Sequence, residues 1–382
     1  MQKSDSLKLK SYFRTLHRWL GLTSGLVVFI VAITGAILAF EGEISDLVYS
    51  YRKVEHEDRR HISINEIKEA VAPYLHHVNA IYYDGEDRSI AVRERGITAE
   101  GEKYNKYVYL HPYTGEVLET QFDDSPSFFQ VIVNLHINLL LGETGSQIVR
   151  YATLIFFIIL ISGIYLWWPK NKKGRRQRFT FDWKTSTRWR RKNFDLHTVL
   201  GFYVSIIIVF AVITGLAWTF QWVDKAIYTS ATLGKPYTEY EDAYSDSDTL
   251  IQPVAFIEDK VLQKAEQYFG WPRYSKRFYF PMDAREPYRV YISPEANIYY
   301  KDVAYHFDQR TGDLLKEEGP GSKNNGEYLR DMYYDIHVGG ILGLPGRLLM
   351  FFACLITASL PVTGFVVWWG RRTKRKGPDS KQ

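Results

Sequence analysis

Apolar residues gather into four runs along the chain, Trp19–Phe40, Ile148–Trp168, Leu200–Trp222 and Leu348–Trp369, and the stretches between them are polar and rich in tyrosine. Each run reaches the ~20 residues that a helix needs to cross a bilayer core of about 30 Å. The pattern predicts an α-helical membrane protein with four transmembrane helices. Two long insertions, about Glu41–Leu141 and Asp224–Gly343, separate the first span from the second and the third from the fourth. Each insertion opens on a helical pattern, "SINEIKEAVAPYL" or "DKVLQKAEQYF". Alternating segments follow, among them "AIYYDG", "SIAVRER" and "KYVYLHPYTGEVL" in the first and "RYSKRFYF", "YRVYIS" and "VAYHFDQRTGDLL" in the second. The alternation and the Asp-Gly, Thr-Gly and Pro breaks predict two α+β modules with antiparallel strands.

Charge orients this plan. The 48 Lys and Arg residues outweigh the 43 Asp and Glu only slightly, but they cluster beside the spans: Lys3, Lys8, Lys10, Arg14 and Arg18 before the first, "PKNKKGRRQRFTFDWKTSTRWRRK" between the second and third, and "RRTKRK" after the fourth. Cytoplasmic flanks of spanning helices are enriched in Lys and Arg, which predicts both termini inside and both insertions outside. Beside spans, such basic runs meet lipid headgroups rather than nucleic acid. The first apolar run is too long for a cleaved signal peptide and reads as a retained anchor. With Cys354 the sole cysteine, no disulfide within the chain, covalently attached haem or four-cysteine iron–sulfur site is possible.

The two halves repeat one another. "TLHRWLGLTSGLVVFIVAITGAILAF" aligns with "DLHTVLGFYVSIIIVFAVITGLAWTF" at an offset of 180, placing His17 on His197, Gly21 on Gly201 and Ile33-Thr34-Gly35 on Ile213-Thr214-Gly215. "NLHINLLLGETGSQIVRYATLIFFIILISGIYLWWP" aligns with "DIHVGGILGLPGRLLMFFACLITASLPVTGFVVWWG" at an offset of 201. Here His136 falls on His337, Gly142 on Gly343, Gly145 on Gly346 and Gly163 on Gly364. Two units of span, outer module and span predict a pseudo-two-fold axis along the membrane normal.

Of the ten histidines, His17, His136, His197 and His337 alone fall at matched positions and at span ends. Symmetry pairs His17 with His197 at the inner face and His136 with His337 at the outer face. Two facing imidazoles can supply both axial nitrogens of a haem iron. Gly21, Gly25, Gly201 and Ser205 lie on the same helical face as their histidine and would leave a slot for a flat macrocycle, although "GLTSG" also suits close helix packing. Arg14, Arg18, Lys192 and Arg347 stand at levels suited to the haem carboxylates. Gly339, Gly340 and Gly343 flank His337, whereas His136 has bulkier neighbours. Zinc or copper would want further ligands at matched positions, and none is seen. The others, His56, His61, His76, His77, His111 and His306, lie in the insertions without a matched partner. The Trp167-Trp168 and Trp368-Trp369 pairs read as interface anchors.

"LHRWLGL", "PYTGEVL", "LHINLLLGETG" and "GIYLWWP", set on four spans with two outer modules, resemble the PepSY-associated transmembrane proteins of Gram-negative inner membranes. The resemblance covers nearly the whole chain and implies PepSY-like periplasmic modules. It implies two haem b groups ligated by His17, His136, His197 and His337, and an oxidoreductase activity toward ferric siderophores, with length and pattern similar to the ferrioxamine-reducing member. The expected plan runs as 1–40, cytoplasmic N-terminus and first span; 41–127, first periplasmic module; 128–169, periplasmic ligand helix and second span; and 170–195, basic cytoplasmic loop. The second half follows as 196–222, third span; 223–327, second module; 328–370, ligand helix and fourth span; and 371–382, cytoplasmic tail. Electrons would cross from the inner to the outer haem and reduce the chelate, releasing ferrous iron. No flavin or nicotinamide motif is present, so the donor is expected to be a quinol or a cytoplasmic protein. An iron or siderophore transporter is the alternative, disfavoured because no span carries an acidic residue in its middle. A non-redox binding module is the other, and it leaves the histidine pairs unexplained.

Overall fold

The computed structural model describes residues 2–99, 103–122, 127–169, 172–239, 243–245, 256–269, 275–295 and 298–375. Part of the expected C-terminal tail, 376–382, lies outside them. The first half runs through α1 (Gln2–Leu38), α2 (Glu41–Val48), α3 (Ile64–Val71), β1 (Ala80–Tyr83), β2 (Ile90–Ile97), β3 (Lys103–Leu110), β4 (Val117–Phe122), α4 (Phe128–Asn138) and α5 (Gly142–Trp167). The connection holds α6 (Lys172–Phe179) and α7 (Trp189–Asp195). The second half then holds α8 (Gly201–Thr219), α9 (Gln221–Ala231), α10 (Ile257–Phe269), β5 (Ser275–Tyr279), β6 (Tyr288–Ser293), β7 (Val303–Phe307), β8 (Leu314–Glu318), α11 (Asn325–Asp331), α12 (Tyr333–Val338) and α13 (Gly343–Arg375).

Two compact units result, a helical one of residues 1–40, 129–227 and 333–382 and a sheet unit of residues 41–128 and 228–332. Four helices of the first are long and apolar enough to cross a membrane, over Lys8–Leu38, Gly142–Trp167, Trp189–Thr219 and Gly340–Gly370. The long helix α1 packs along both α13 and α5, and α5 along α8. At one crossing Gly25 lies against Pro361, so close that an added Cβ would stand 3.3 Å from the proline ring. Of the first tryptophan pair only Trp168 is exposed. Trp167 is buried, stacked 3.6 Å from Phe202, and its indole N–H donates to the Arg178 carbonyl. It anchors the connection to the bundle instead of sitting at an interface.

Sequence alternation predicts two separate modules with a core each, and here the structure differs. The strands form one antiparallel eight-stranded sheet, ordered β4-β3-β2-β1-β5-β6-β7-β8. β1 and β5 join the halves, with Ile81 opposite Phe278 and Tyr82 opposite Arg277. Each would otherwise be an edge strand with a row of unpaired N–H and C=O groups, which pairing across the seam satisfies. One core follows: Ile81, Val92 and Val108 from the first half and Phe278, Val290 and Phe307 from the second pack under α3 and α10 in a single cluster. Ser63 and Glu66 close a capping box at the start of α3, as the Ser-x-x-Glu spacing dictates. Asp259 of α10 accepts from the Ile64 N–H at 2.7 Å, so the second half caps a helix of the first.

Candidate functional site: two histidine pairs in the helical unit

His17 begins the apolar part of α1, and His197 sits in a π-helical turn, Leu196–Leu200, that links α7 to α8. Such turns widen a helix by one residue and recur at functional sites. The two rings lie 6.4 Å apart, centre to centre, at 81°. His136 on α4 and His337 on α12 form a second pair, 6.3 Å apart at 85°. The structure thus brings together the four histidines that the internal alignment singles out, in the two pairs that symmetry requires.

Each ring is held the same way. The Nδ1 atom of His17 meets Ser162 Oγ at 3.0 Å, and those of His136, His197 and His337 meet Oγ1 of Thr34, Thr363 and Thr214 at 2.9 Å each. In every case the next residue is glycine, and its face lies on the imidazole. A Cβ added to Gly163, Gly35, Gly364 or Gly215 would stand 3.2, 3.2, 3.1 or 3.5 Å from Cε1 of His17, His136, His197 or His337. The pattern is reciprocal within each half. α1 carries His17 and the Thr34-Gly35 that holds His136, while the following segment carries His136 and the Ser162-Gly163 that holds His17. The second half repeats this with His197, Thr214-Gly215, His337 and Thr363-Gly364.

With Nδ1 bonded and Cε1 covered, the Nε2 edge is what remains of each ring. All four histidines are half-buried. Two imidazoles on opposite sides of one metal ion, with metal–nitrogen bonds of about 2.0–2.1 Å and roughly 1.2 Å from nitrogen to ring centre, have centres about 6–6.5 Å apart. Both pairs have that spacing. Among the described residues no group of three or more His, Cys, Asp or Glu could hold a metal ion, so any ion held between two of these imidazoles would need further ligands of its own.

The glycines expected to form the slot divide. An added Cβ at Gly21 meets nothing within 4 Å, whereas Gly201 lies in ordinary contact with Leu360 and Gly25 against Pro361. Ser205 is buried with its hydroxyl donating to the Phe202 carbonyl at 2.7 Å. Of the expected cations, Arg18 lies over Trp19, Lys192 over Trp183 and Arg347 over Phe40, at 5.6, 5.7 and 5.9 Å. Gly339 takes a left-handed φ of 79° and turns the chain tightly against Gly346. The bulkier first half makes the matching turn with Leu139 and Leu140 at φ of 54° and 60°. What sequence reasoning missed is the Ser/Thr-Gly dipeptide. Its signal was present, because Thr34-Gly35 matches Thr214-Gly215 and Ser162-Gly163 matches Thr363-Gly364 at the two offsets already noted.

The sequence model of the PepSY-associated TM region matches residues 14–371, from just before His17 to just beyond Trp369. The chain belongs to this family. The match spans both histidine pairs, all four Ser/Thr-Gly dipeptides and the whole sheet unit, so the PepSY-associated TM region takes in every feature of the site described above. No curated protein matches the chain.

Proposed function

We propose that the protein is an inner-membrane oxidoreductase in which His17 with His197, and His136 with His337, each hold one b-type haem, and that it delivers electrons across the membrane to ferric siderophores. In this reading the chain is a tandem repeat with both termini in the cytoplasm, the sheet unit is a pair of fused PepSY-like modules in the periplasm, and reduction of the chelate releases ferrous iron for transport. A quinol or a cytoplasmic protein serves as donor. The basic residues of the connection and of both termini support the orientation.

The observation that carries the proposal is the doubled pair. Haem iron held by two imidazoles exchanges one electron between its ferric and ferrous states. The protein's contribution is placement: His17 and Thr34 stand on one helix 17 residues apart, so the levels of the two pairs differ by about 25 Å at the helical rise of 1.5 Å per residue. That is close to the thickness of a bilayer core. The apolar residues between Trp19 and Phe40 keep water and ions from the interval. Hydrophilic ferric chelates suit the acceptor role, since the ferrous product is bound more weakly. The visible spectrum of purified protein, oxidised and then reduced, tests the reading. Two low-spin haems per chain are expected, and a preparation that stays colourless after haem supplementation removes it. In oriented liposomes, a ferric hydroxamate such as ferrioxamine on the sheet-unit side should be reduced by reductant confined to the other side. Reduced protein that never reoxidises with any ferric siderophore removes the substrate.

A further inference from the structure

We infer that the hydroxyls of Thr34, Ser162, Thr214 and Thr363 fix the tautomer of the four paired histidines, each accepting the Nδ1–H so that Nε2 is left bare. A hydroxyl has one proton to give and two lone pairs to receive. In all four cases that proton already has a carbonyl of its own helix to go to. Thr34 Oγ1 lies 2.8 Å from the Ile30 carbonyl and 3.0 Å from that of Val31. Ser162 Oγ lies 3.0 Å from Ile159, Thr214 Oγ1 2.9 and 3.0 Å from Phe210 and Ala211, and Thr363 Oγ1 3.0 and 3.1 Å from Ser359 and Leu360. With its proton on the carbonyl, the hydroxyl is an acceptor toward the imidazole. The carbonyl three residues before it, of Ile159, Val31, Leu360 or Ala211, also interacts with the ring and can only accept, so both place the hydrogen on Nδ1. A neutral imidazole has only one N–H, so Nε2 is left with its lone pair. The glycine that follows makes the geometry possible, because a side chain there would displace Cε1.

The arrangement is specific to these four. Among the described residues, His56 Nδ1 meets a tyrosine hydroxyl, His77 Nε2 the Arg95 carbonyl, and His111 Nδ1 the Tyr113 N–H, none of them a serine or threonine hydroxyl. The hydroxyl residues are therefore positioning residues, which do for each imidazole what outer-shell acceptors do for metal-bound histidine: fix its tautomer and orientation and raise its basicity. A more basic imidazole favours the ferric over the ferrous ion, so each hydroxyl holds the potential of its site down. Three of the four are threonine, whose branched side chain has restricted χ1 freedom. Ser162 is the exception, and His17 has the least constrained brace.

The tautomer stands on the hydrogen bonds alone, and the effect on potential rests on the two-haem reading, so the test has two arms. In haem-depleted protein with 15N-labelled histidine, solid-state NMR should show Nδ1–H tautomers for the paired residues. Thr214→Val, which keeps the shape and removes the oxygen, should convert one histidine, and Thr214→Ser should not. Wild-type rings with the proton on Nε2, or a Thr214→Val spectrum identical to wild type, overturns the inference. In haem-loaded protein, Thr214→Val should raise the reduced-to-oxidised ratio of one haem, at the wild-type midpoint, by about five- to tenfold, a tenfold change being 59 mV for one electron. Thr214→Ser should restore the wild-type ratio. An unchanged ratio in Thr214→Val overturns the tuning role. Thr34→Val makes the same measurement on the same pair from the other half, should Thr214→Val fail to fold. Nδ1–H tautomers in a protein that binds no haem would refute the two-haem reading and uphold the brace.

Discussion

In the helical unit the residues that build the two histidine pairs agree in identity between the halves with one exception, whereas in the sheet unit most matched core positions agree only in kind. His17 and His197, Thr34 and Thr214, Gly35 and Gly215, His136 and His337, and Gly163 and Gly364 are the same residue at matched places. The sheet core instead sets Ile81 against Phe278, Tyr83 against Phe280, Val108 against Tyr305 and Leu110 against Phe307. The difference reflects what each place asks of a side chain. A core needs apolar volume, and several residues supply it when neighbours repack. A ring nitrogen 2.9 Å from a hydroxyl, with a glycine under the ring, leaves almost no alternative. Ser162 against Thr363 is the one change among the braces, and it keeps the hydroxyl.

Removing an identity residue should therefore have the largest effect. On the two-haem reading, His17→Ala takes one axial nitrogen from the first pair, and the haem held there should be lost or change spin state. His197→Ala should affect that same haem, while His136→Ala and His337→Ala affect the other. The comparison breaks if His17→Ala perturbs the spectrum shared by His136 and His337 and spares that of His197, since the 6.4 and 6.3 Å ring spacings would then not mark the functional pairs.

A core position in the sheet should respond differently. Phe278 is fully buried at the seam between β1 and β5, and Phe278→Ala should lower the stability of the sheet unit by about 3–5 kcal/mol, the usual cost of deleting a buried aromatic ring. Chemical denaturation followed by protease susceptibility of the strands would measure it. Both haem spectra should stay as in wild type, because no histidine of either pair belongs to that unit. A Phe278→Ala protein that folds but loses one haem would show that the two units are not separable in this way.

Much of the bundle was legible in the sequence because spans announce themselves by length and polarity, and because each of the two offsets sets one histidine on another, giving two matched pairs. The braces were legible too, but only in retrospect. Thr34-Gly35 and Ser162-Gly163 look like ordinary small residues of a membrane helix, and nothing local says that the first faces a histidine 102 residues away and the second one 145 residues away. The seam of the sheet was out of reach for a similar reason. Alternation identifies β1 and β5 as strands, but which edges meet depends on backbone groups that every residue carries. Trp167 was misread because a tryptophan at a span end satisfies the interface rule whether it faces lipid or, as here, Phe202.

The smallest expected effect comes from the charges that tie the halves of the sheet unit together. Glu258 of α10 is ion-paired with Lys68 of α3 and accepts from the Tyr288 hydroxyl at 3.3 Å. Burial pushes its carboxyl up, but the Lys68 ammonium, its own backbone N–H and the Tyr288 hydroxyl together hold it below the usual value of 4.5. The folded carboxyl thus binds its proton less readily than the unfolded one. Below about pH 4.5 the unfolded chain takes up more protons, so this contribution, fully present above that value, is lost as pH falls through the lower folded pKa. Glu258→Gln should cost about 0.5–1 kcal/mol near neutrality, as partly exposed ion pairs do, and the gap to wild type should close as the solution is acidified. Hydrogen exchange of the β1 and β5 amides between about pH 6 and pH 3 would follow it, with intrinsic exchange rates corrected for pH. A gap between wild type and Glu258→Gln that stays constant over that range would mean that the pair contributes no proton linkage.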